Sequence, residues 1–191
     1  MRDISLQCES ISEPPNPKPP NPEPRTSGPP NFYLMRINTA FADFVNKFPI
    51  VELPVMLGED THHVFSAEND PLTDEMIQIF IESDYDEMTE FVPCFSLNDT
   101  EHFIALVWWK AGLLNYEYTL ATFNERGEAI DRKVIAYTRV AQGLVSRAVT
   151  TINEEHEIII AEGSSSDGND LFDPTTAKTR FLELMNDGSI V

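Results

Sequence analysis

The sequence contains few basic residues, few cysteines and few histidines, and each shortage argues against a class of protein. Only 13 of its 191 residues are Lys or Arg, against 32 Asp or Glu, which gives a net charge of −19. Nucleic acids and anionic lipid surfaces both attract basic proteins, so neither is an expected partner. Two Cys and four His leave little material for a disulfide framework or a metal cage. With no run of about 18 apolar residues, the chain predicts no transmembrane segment.

Proline is concentrated at the N-terminus, where nine of the fourteen prolines lie within the first thirty residues. Each proline fixes φ and removes an N–H donor, and residues 13–31 offer no other apolar side chain to bury. We predict a Pro-rich tail over residues 1–31, extended as a polyproline II spacer, and a single β-rich globular domain over 32–191. The tail's P-x-x-P spacings are also typical of SH3 ligands, although repeated proline produces such spacings by chance.

Cys8 directly precedes this Pro-rich segment, in Ser5-Leu6-Gln7-Cys8. A cysteine in that position is typical of bacterial lipoproteins, in which it carries the lipid anchor. Arg2-Asp3, however, occupies the place where a signal peptide needs an apolar stretch of about 7–15 residues. As written, the chain predicts a cytoplasmic protein; if the true start lies upstream, the alternative is a cell-envelope lipoprotein anchored through Cys8.

Two helices are predicted near the start of the domain. Apolar residues recur with the helical period over 36–48 and form a Phe-rich stripe that ends at Pro49. A second, short helix is predicted to begin at Asp70-Pro71, an N-cap acid followed by proline at the first helical position. The segment 76–81 that follows fits a strand equally well.

The rest of the chain predicts strands separated by turns. Residues 50–56 are extended, with Pro54 at a sheet edge. Residues 91–97 lead into the apolar run 102–109, which is typical of a central strand buried on both faces. Three strand–turn–strand units then follow, over 115–137, 144–162 and 179–191.

Successive hairpins imply antiparallel pairing between neighbours. The predicted fold class is therefore mainly β, an antiparallel β-meander curled into a sandwich or partly open barrel. The Phe-rich helix covers one end or face of it. A small β-propeller-like array is the alternative.

The acidic residues are distributed unevenly. Between Lys47 and Lys110 there are fourteen acids and no base, and the densest run contains Glu82, Asp84, Asp86, Glu87 and Glu90. A solvated acidic face that keeps the protein soluble is one interpretation. The other is an interaction surface for a basic protein partner, whose association the charge would steer.

Candidate metal ligands occur in two places. Asp167, Asn169, Asp170 and Asp173 gather oxygen ligands of the kind that Ca²⁺ prefers, but without the residue order of an EF-hand loop, and a plain solvated loop has the same composition. His62-His63, if extended, points its two rings to opposite faces and cannot hold one metal. We expect no bound cofactor.

Catalytic signals are weak. Cys94 lies in an apolar segment without a neighbouring base, as expected of a buried thiol rather than a nucleophile. The sequence contains no G-x-S-x-G, phosphate-binding glycine loop or H-E-x-x-H. These features favour a non-catalytic protein. The alternative is an enzyme or small-ligand binder with an aromatic-lined pocket at the open end of the sheet, near His102, Trp109 and Tyr116.

The stretch 116–131, together with Phe48-Pro49 and Leu53-Pro54, resembles uncharacterised β-rich proteins of bacterial envelopes, among them lipoproteins. The resemblance covers about half of the chain and implies a β-rich fold. It implies no catalytic residues.

Overall fold

The computed structural model describes residues 39–98, 100–166 and 175–191, and within them the chain is mainly β. Seven strands follow one another in a meander in chain order, and each pairs antiparallel with the next. An eighth strand, Val55–Leu57, precedes them in the sequence and pairs with Leu144–Ile152 off this path. The predicted antiparallel meander is confirmed. Because the described strands form one continuous sheet that is not closed into a barrel, the propeller alternative is wrong.

The helices and strands have the following bounds. The helices are α1 (Thr39–Val45), α2 (His62–Glu68) and α3 (Asp74–Met76), and α3 continues as a π-helix over Ile77–Ile81. The strands are β1 (Val55–Leu57), β2 (Glu90–Ser96), β3 (Ile104–Gly112), β4 (Asn115–Phe123), β5 (Ala129–Ala141), β6 (Leu144–Ile152), β7 (Glu157–Ser166) and β8 (Lys178–Glu183). Among the described residues, no helix combines the length and the apolar character needed to cross a membrane.

The predicted Phe-rich helix is confirmed as α1, and the second helix begins later than predicted. Thr73, not Asp70, is the N-cap, because its side chain accepts a hydrogen bond from Met76 N–H at 3.3 Å. The chain is helical through Ile81, which answers the question between helix and strand for residues 76–81.

Helix α2 was not predicted, because its sequence has no apolar stripe and none of its residues is fully buried. His62 and His63 therefore lie in a helix. Their ring centroids are 3.9 Å apart, so the two rings lie side by side, and the extended conformation that would place them on opposite faces does not occur.

The turns of the meander match their sequence signals in most places. Gly127 and Gly188 both have positive φ, at 81° and 86°, as the turns that contain them require. The third predicted hairpin is reduced, because after β8 the chain returns only as a single bridge between Leu184 and Ile190. The two-residue turn Gln142-Gly143 joins β5 to β6, and both of its residues have positive φ.

The sheet opens along β5, which pairs with its two neighbours over different lengths. Residues 129–139 pair with β4, while only residues 137–141 pair with β6. Beyond Ala148, β6 no longer pairs with β5, and β1 occupies its free edge by pairing Val55 with Ile152. The Thr150 hydroxyl donates to the Ile135 carbonyl across the division. β1 thus supplies hydrogen-bond partners at the point where the meander separates.

Both faces of the sheet are covered by apolar side chains. The inner core contains Trp109 and apolar residues from β1 to β7, and the helix-side core contains Trp108 packed with α1 and the π-helix. Trp108 and Trp109 are 1% and 5% exposed, so both are buried although they face opposite ways. This confirms that β3 is a central strand buried on both faces.

Candidate functional site

The acidic loop, residues 82–90, connects the π-helix to the first residue of β2 and has a defined conformation. Asp86 Oδ1 accepts hydrogen bonds from Met88 N–H at 3.0 Å and from the Thr89 hydroxyl at 2.8 Å. The Tyr85 ring packs edge-on against Phe91, with centroids 5.3 Å apart. These contacts hold Met88 outward, and 73% of that residue is exposed.

The charge of the acidic loop is directed to solvent. Asp84, Asp86, Glu87 and Glu90 are all exposed. Glu82 differs, because its carboxylate forms a short ion pair with Lys110, whose ammonium also lies 5.7 Å from the centre of the Phe91 ring. In the described part of the chain these four carboxylates have no basic partner, and the exposed apolar side chain of Met88 lies among them in the sequence.

The wider acidic stretch, residues 48–109, is not a single uniform surface. Bases that lie outside it in the sequence approach two further acids: Lys47 Nζ is 3.3 Å from Asp70, and Arg147 Nε is 3.1 Å from Glu59. The acidic loop remains the densest group of exposed carboxylates within the stretch.

The structure separates the three residues of the predicted aromatic pocket. Trp109 and Tyr116 lie together, with parallel rings whose centroids are 6.0 Å apart. His102 precedes the opposite end of β3, and the strand from Ile104 to Trp109 alone spans about 17 Å. Instead, His62 of α2 stacks on Trp109 at 4.1 Å with an interplanar angle of 5°.

The cavity beside Trp109 and Tyr116 is small, with a volume of about 10 Å³. That volume has room for about one water molecule. Tyr118 also lines this cavity, and within the described residues its buried hydroxyl makes no hydrogen bond of ordinary geometry. The Thr61 hydroxyl and the His62 N–H are its nearest polar groups, and Thr61 Oγ1 accepts from Gly58 N–H at 2.9 Å. Burial raises the pKa of Tyr118 above its ordinary range.

His102 lines a larger cavity of about 230 Å³ at the other end of the sheet. His156, from the β6–β7 turn, and Asn186 contribute polar groups to its wall, while Phe103 and Leu184 supply apolar surface. His156 has positive φ, at 62°, an uncommon conformation for a residue other than glycine. The cavity combines two imidazole rings, an amide and apolar side chains, a composition suited to a small polar ligand.

Of the remaining candidates, Cys94 lies among the described residues. It is a buried free thiol, as predicted, and burial raises its pKa well above the ordinary value. In the described part of the chain, no three His, Cys, Asp or Glu side chains lie close enough together to hold a metal ion. The weak calcium candidate at 167–173 and the thiol at Cys8 lie outside the described residues.

Sequence reasoning missed two contacts, the stacking of His62 on Trp109 and the position of His156 beside His102. Each becomes important through contacts between residues far apart in the sequence. The pair His62-His63 was the one local feature of the sequence that pointed to this region, and it was considered as extended chain, whereas it lies in α2.

Comparisons with protein-family models, with curated proteins and with solved structures gave no match for this chain.

Proposed function

We propose that this protein is a non-catalytic interaction module that presents its acidic loop to a basic protein partner. The observation that carries the proposal is the arrangement around Met88, an exposed apolar side chain held outward by the Asp86 turn and flanked by exposed carboxylates. A partner would bury Met88 and pair basic side chains with the surrounding acids. Interfaces of this kind combine an apolar contact with a charged rim.

Charge supports the same proposal through association kinetics. A net charge of −19 attracts basic partners over distances comparable to the Debye length, about 10 Å at moderate salt. Attraction between opposite charges accelerates encounter and weakens as salt is added. Binding through the acidic loop should therefore weaken at high ionic strength.

The test uses two Lys- and Arg-rich peptides of equal length, one of which carries a central Leu, titrated with the full chain by fluorescence anisotropy. The Leu-containing peptide should bind more tightly, and both should bind more weakly at high salt. Replacing Met88 with Ser should remove the difference between the two peptides.

A pair of charge variants locates the binding surface. The triple variant Asp84→Asn, Glu87→Gln, Glu90→Gln should weaken binding at least about fivefold. The control Glu154→Gln, Glu155→Gln, Glu183→Gln removes the same charge from exposed positions elsewhere and should bind like the original chain. Equal weakening by both triple variants would mean that only the overall charge matters, and the acidic loop would be rejected.

A second candidate function is the binding of a small polar ligand, and the 230 Å³ cavity at His102 and His156 favours it. The 10 Å³ cavity beside Trp109 is too small for such a ligand. A fragment screen by NMR should shift the imidazole signals of both histidines together. Hits that spare both rings would reject this candidate.

A further inference from the structure

The outer edge of β2, at one end of the sheet, is blocked by neighbouring chain. Ser96 N–H donates to the Pro49 carbonyl at 2.9 Å. The Asn69 amide donates to the carbonyls of Pro93 and Cys94 at 2.7 and 2.8 Å, and Pro93 itself has no N–H. A strand protected in this way cannot accept another strand along its edge.

The outer edge of β8, at the other end, is open in the described part of the chain. The N–H and C=O of Glu183 both bond to Val191, at 2.8 and 3.1 Å, so they point away from β7. Because these directions alternate along a strand, the N–H and C=O of Thr179 and Phe181 also point away from β7. In the described chain β8 has β7 as its one strand neighbour, and Val191 reaches only Glu183.

The side chains at this edge do not shield it. Phe181 is 70% exposed on the outer face, where it lies opposite Ile159 of β7. Arg180 points to the other face and pairs with Glu162 at 3.3 Å. Natural proteins usually blunt such edges with proline, with charge or with a covering segment. Of these devices β8 itself has charge alone, at Lys178, Arg180 and Glu183, and Arg180 is paired with Glu162. The exposed Phe181 on this open edge marks a surface that gains stability when another strand covers it.

We infer that a second copy of this chain binds here, through antiparallel pairing of β8 with β8. A two-fold axis at Arg180 places Thr179 opposite Phe181 of the second copy. All N–H and C=O groups of these two residues then pair, giving four hydrogen bonds by the geometry of an antiparallel ladder. A two-fold axis at Phe181 would instead place Thr179 opposite Glu183, whose N–H and C=O already bond to Val191. Only the two hydrogen bonds between the two Phe181 residues could then form.

The local charge fits a second copy. A chain of net charge −19 repels itself, so copies must meet where negative charge is lowest. β8 carries Lys178 and Arg180 and has no acid before Glu183. Each Arg180 keeps its ion pair with Glu162 of its own copy, so the two guanidinium groups approach each other as parts of ion pairs that are neutral overall. On the outer face, Phe181 packs against Thr179 of the second copy. Pairing over so few residues buries little surface, so the dimer is weak.

The test is sedimentation equilibrium of the full chain from micromolar to millimolar concentration, with the expectation of a reversible monomer–dimer equilibrium. Thr179→Pro removes an outward N–H from each copy without removing a bond to β7, and should raise the dimer dissociation constant at least about tenfold. Phe181→Ser should weaken the dimer as well. Leu113→Ser, at a residue 81% exposed elsewhere, is the matched control and should leave the equilibrium unchanged.

Amide hydrogen exchange of the unmodified chain gives a readout that does not depend on any variant. The amides of Thr179 and Phe181 should exchange more slowly as concentration rises, because dimerisation bonds them. The amides of Arg180 and Leu182, which face β7, should be protected at every concentration.

Salt distinguishes this interface from the acidic loop. Screening of like charges should strengthen the dimer, whereas it should weaken peptide binding at the loop. Neutralising the loop acids should leave the dimer intact. A monomer over the whole concentration range would overturn the inference. A dimer unaffected by Thr179→Pro and Phe181→Ser, or exchange at Thr179 and Phe181 that ignores concentration, would overturn it too.

Discussion

The Arg132 guanidinium lies over the Trp108 ring, 5.0 Å from its centre, and joins the sheet to the π-helix. Its two terminal nitrogens donate to the carbonyls of Ile81 and Phe80, at 2.6 and 3.1 Å. These carbonyls lie in the last turn of the helix, where backbone acceptors lack partners within the helix. The Arg132 side chain thus provides hydrogen-bond donors for the carbonyls at the helix end and also covers the Trp108 ring in the core.

Replacing Arg132 should therefore destabilise the fold through two losses. Arg132→Met keeps an apolar stem over Trp108 but removes both hydrogen bonds, and should lower the free energy of unfolding by about 1–2 kcal/mol. Arg132→Lys should recover only part of this, because an ammonium cannot reproduce the planar fork. Urea denaturation measures the change. Arg126→Met, at an exposed turn position, is the control, and an equal loss there would contradict the role of Arg132.

The contact between Gly127 and Phe41 predicts an unequal pair of glycine substitutions. Gly127 and Gly143 both have positive φ, so alanine costs about 1 kcal/mol at either position. A Cβ at Gly127 would also come within 2.8 Å of Phe41 Cγ, whereas nothing lies within 4 Å at Gly143. Gly127→Ala should therefore cost about 2 kcal/mol more than Gly143→Ala. Equal losses in thermal denaturation would show that α1 moves aside freely.

Removing the hydroxyl group of Tyr118 and that of Tyr137 should have different effects on stability. The Tyr118 hydroxyl is buried without a hydrogen bond, so Tyr118→Phe should leave stability unchanged or raise it by about 1 kcal/mol. The Tyr137 hydroxyl donates to Glu162 at 3.1 Å, and Tyr137→Phe should lower stability by about 1 kcal/mol. Chemical denaturation of both variants decides the matter. A clear loss in Tyr118→Phe would mean that its hydroxyl is bonded in solution.

Two buried groups, the Cys94 thiol and the Tyr118 hydroxyl, predict a loss of stability at alkaline pH. Burial raises the pKa of Cys94 above its ordinary value of 9.0 and that of Tyr118 above 10.0. The unfolded chain releases these protons at their ordinary pKa values while the folded chain retains them. Stability is therefore full below about pH 9. It then falls by about 1.4 kcal/mol per pH unit because of Cys94, and above about pH 10 by as much again because of Tyr118. Cys94→Ala should reduce the slope between pH 9 and 10 in urea titrations, and an unchanged slope would contradict this assignment.

The sequence predicted the meander well, because its signals are local. β4 and β6 begin at residues 115 and 144, where the first two predicted strand–turn–strand units begin, because turn residues separate these units in the sequence. Helix α2 was missed for the opposite reason, since it lies on the surface without a buried stripe. Its position depends on long-range contacts such as His62 on Trp109.

The candidate site was predictable only in part. The run of acids from Glu82 to Glu90 could be read directly, and the structure adds the Asp86 turn that directs Met88 outward. The pairing of Glu82 with Lys110 could not be foreseen, because it depends on how the π-helix packs on β3. His102 was grouped with Trp109 because the two are close in sequence, whereas an extended strand places them at opposite ends.

The position of β1 has a consequence for the order in which the chain folds as it is synthesised. The meander forms from neighbours along the sequence, so each strand can pair soon after it emerges. β1 cannot do so, because Val55 must wait for Ile152, near the far end of the chain. Contacts across such long loops form slowly. β1 must therefore remain unpaired until β6 is made, and during that interval the side chain of Leu57, which is fully buried in the folded chain, is accessible to chaperones.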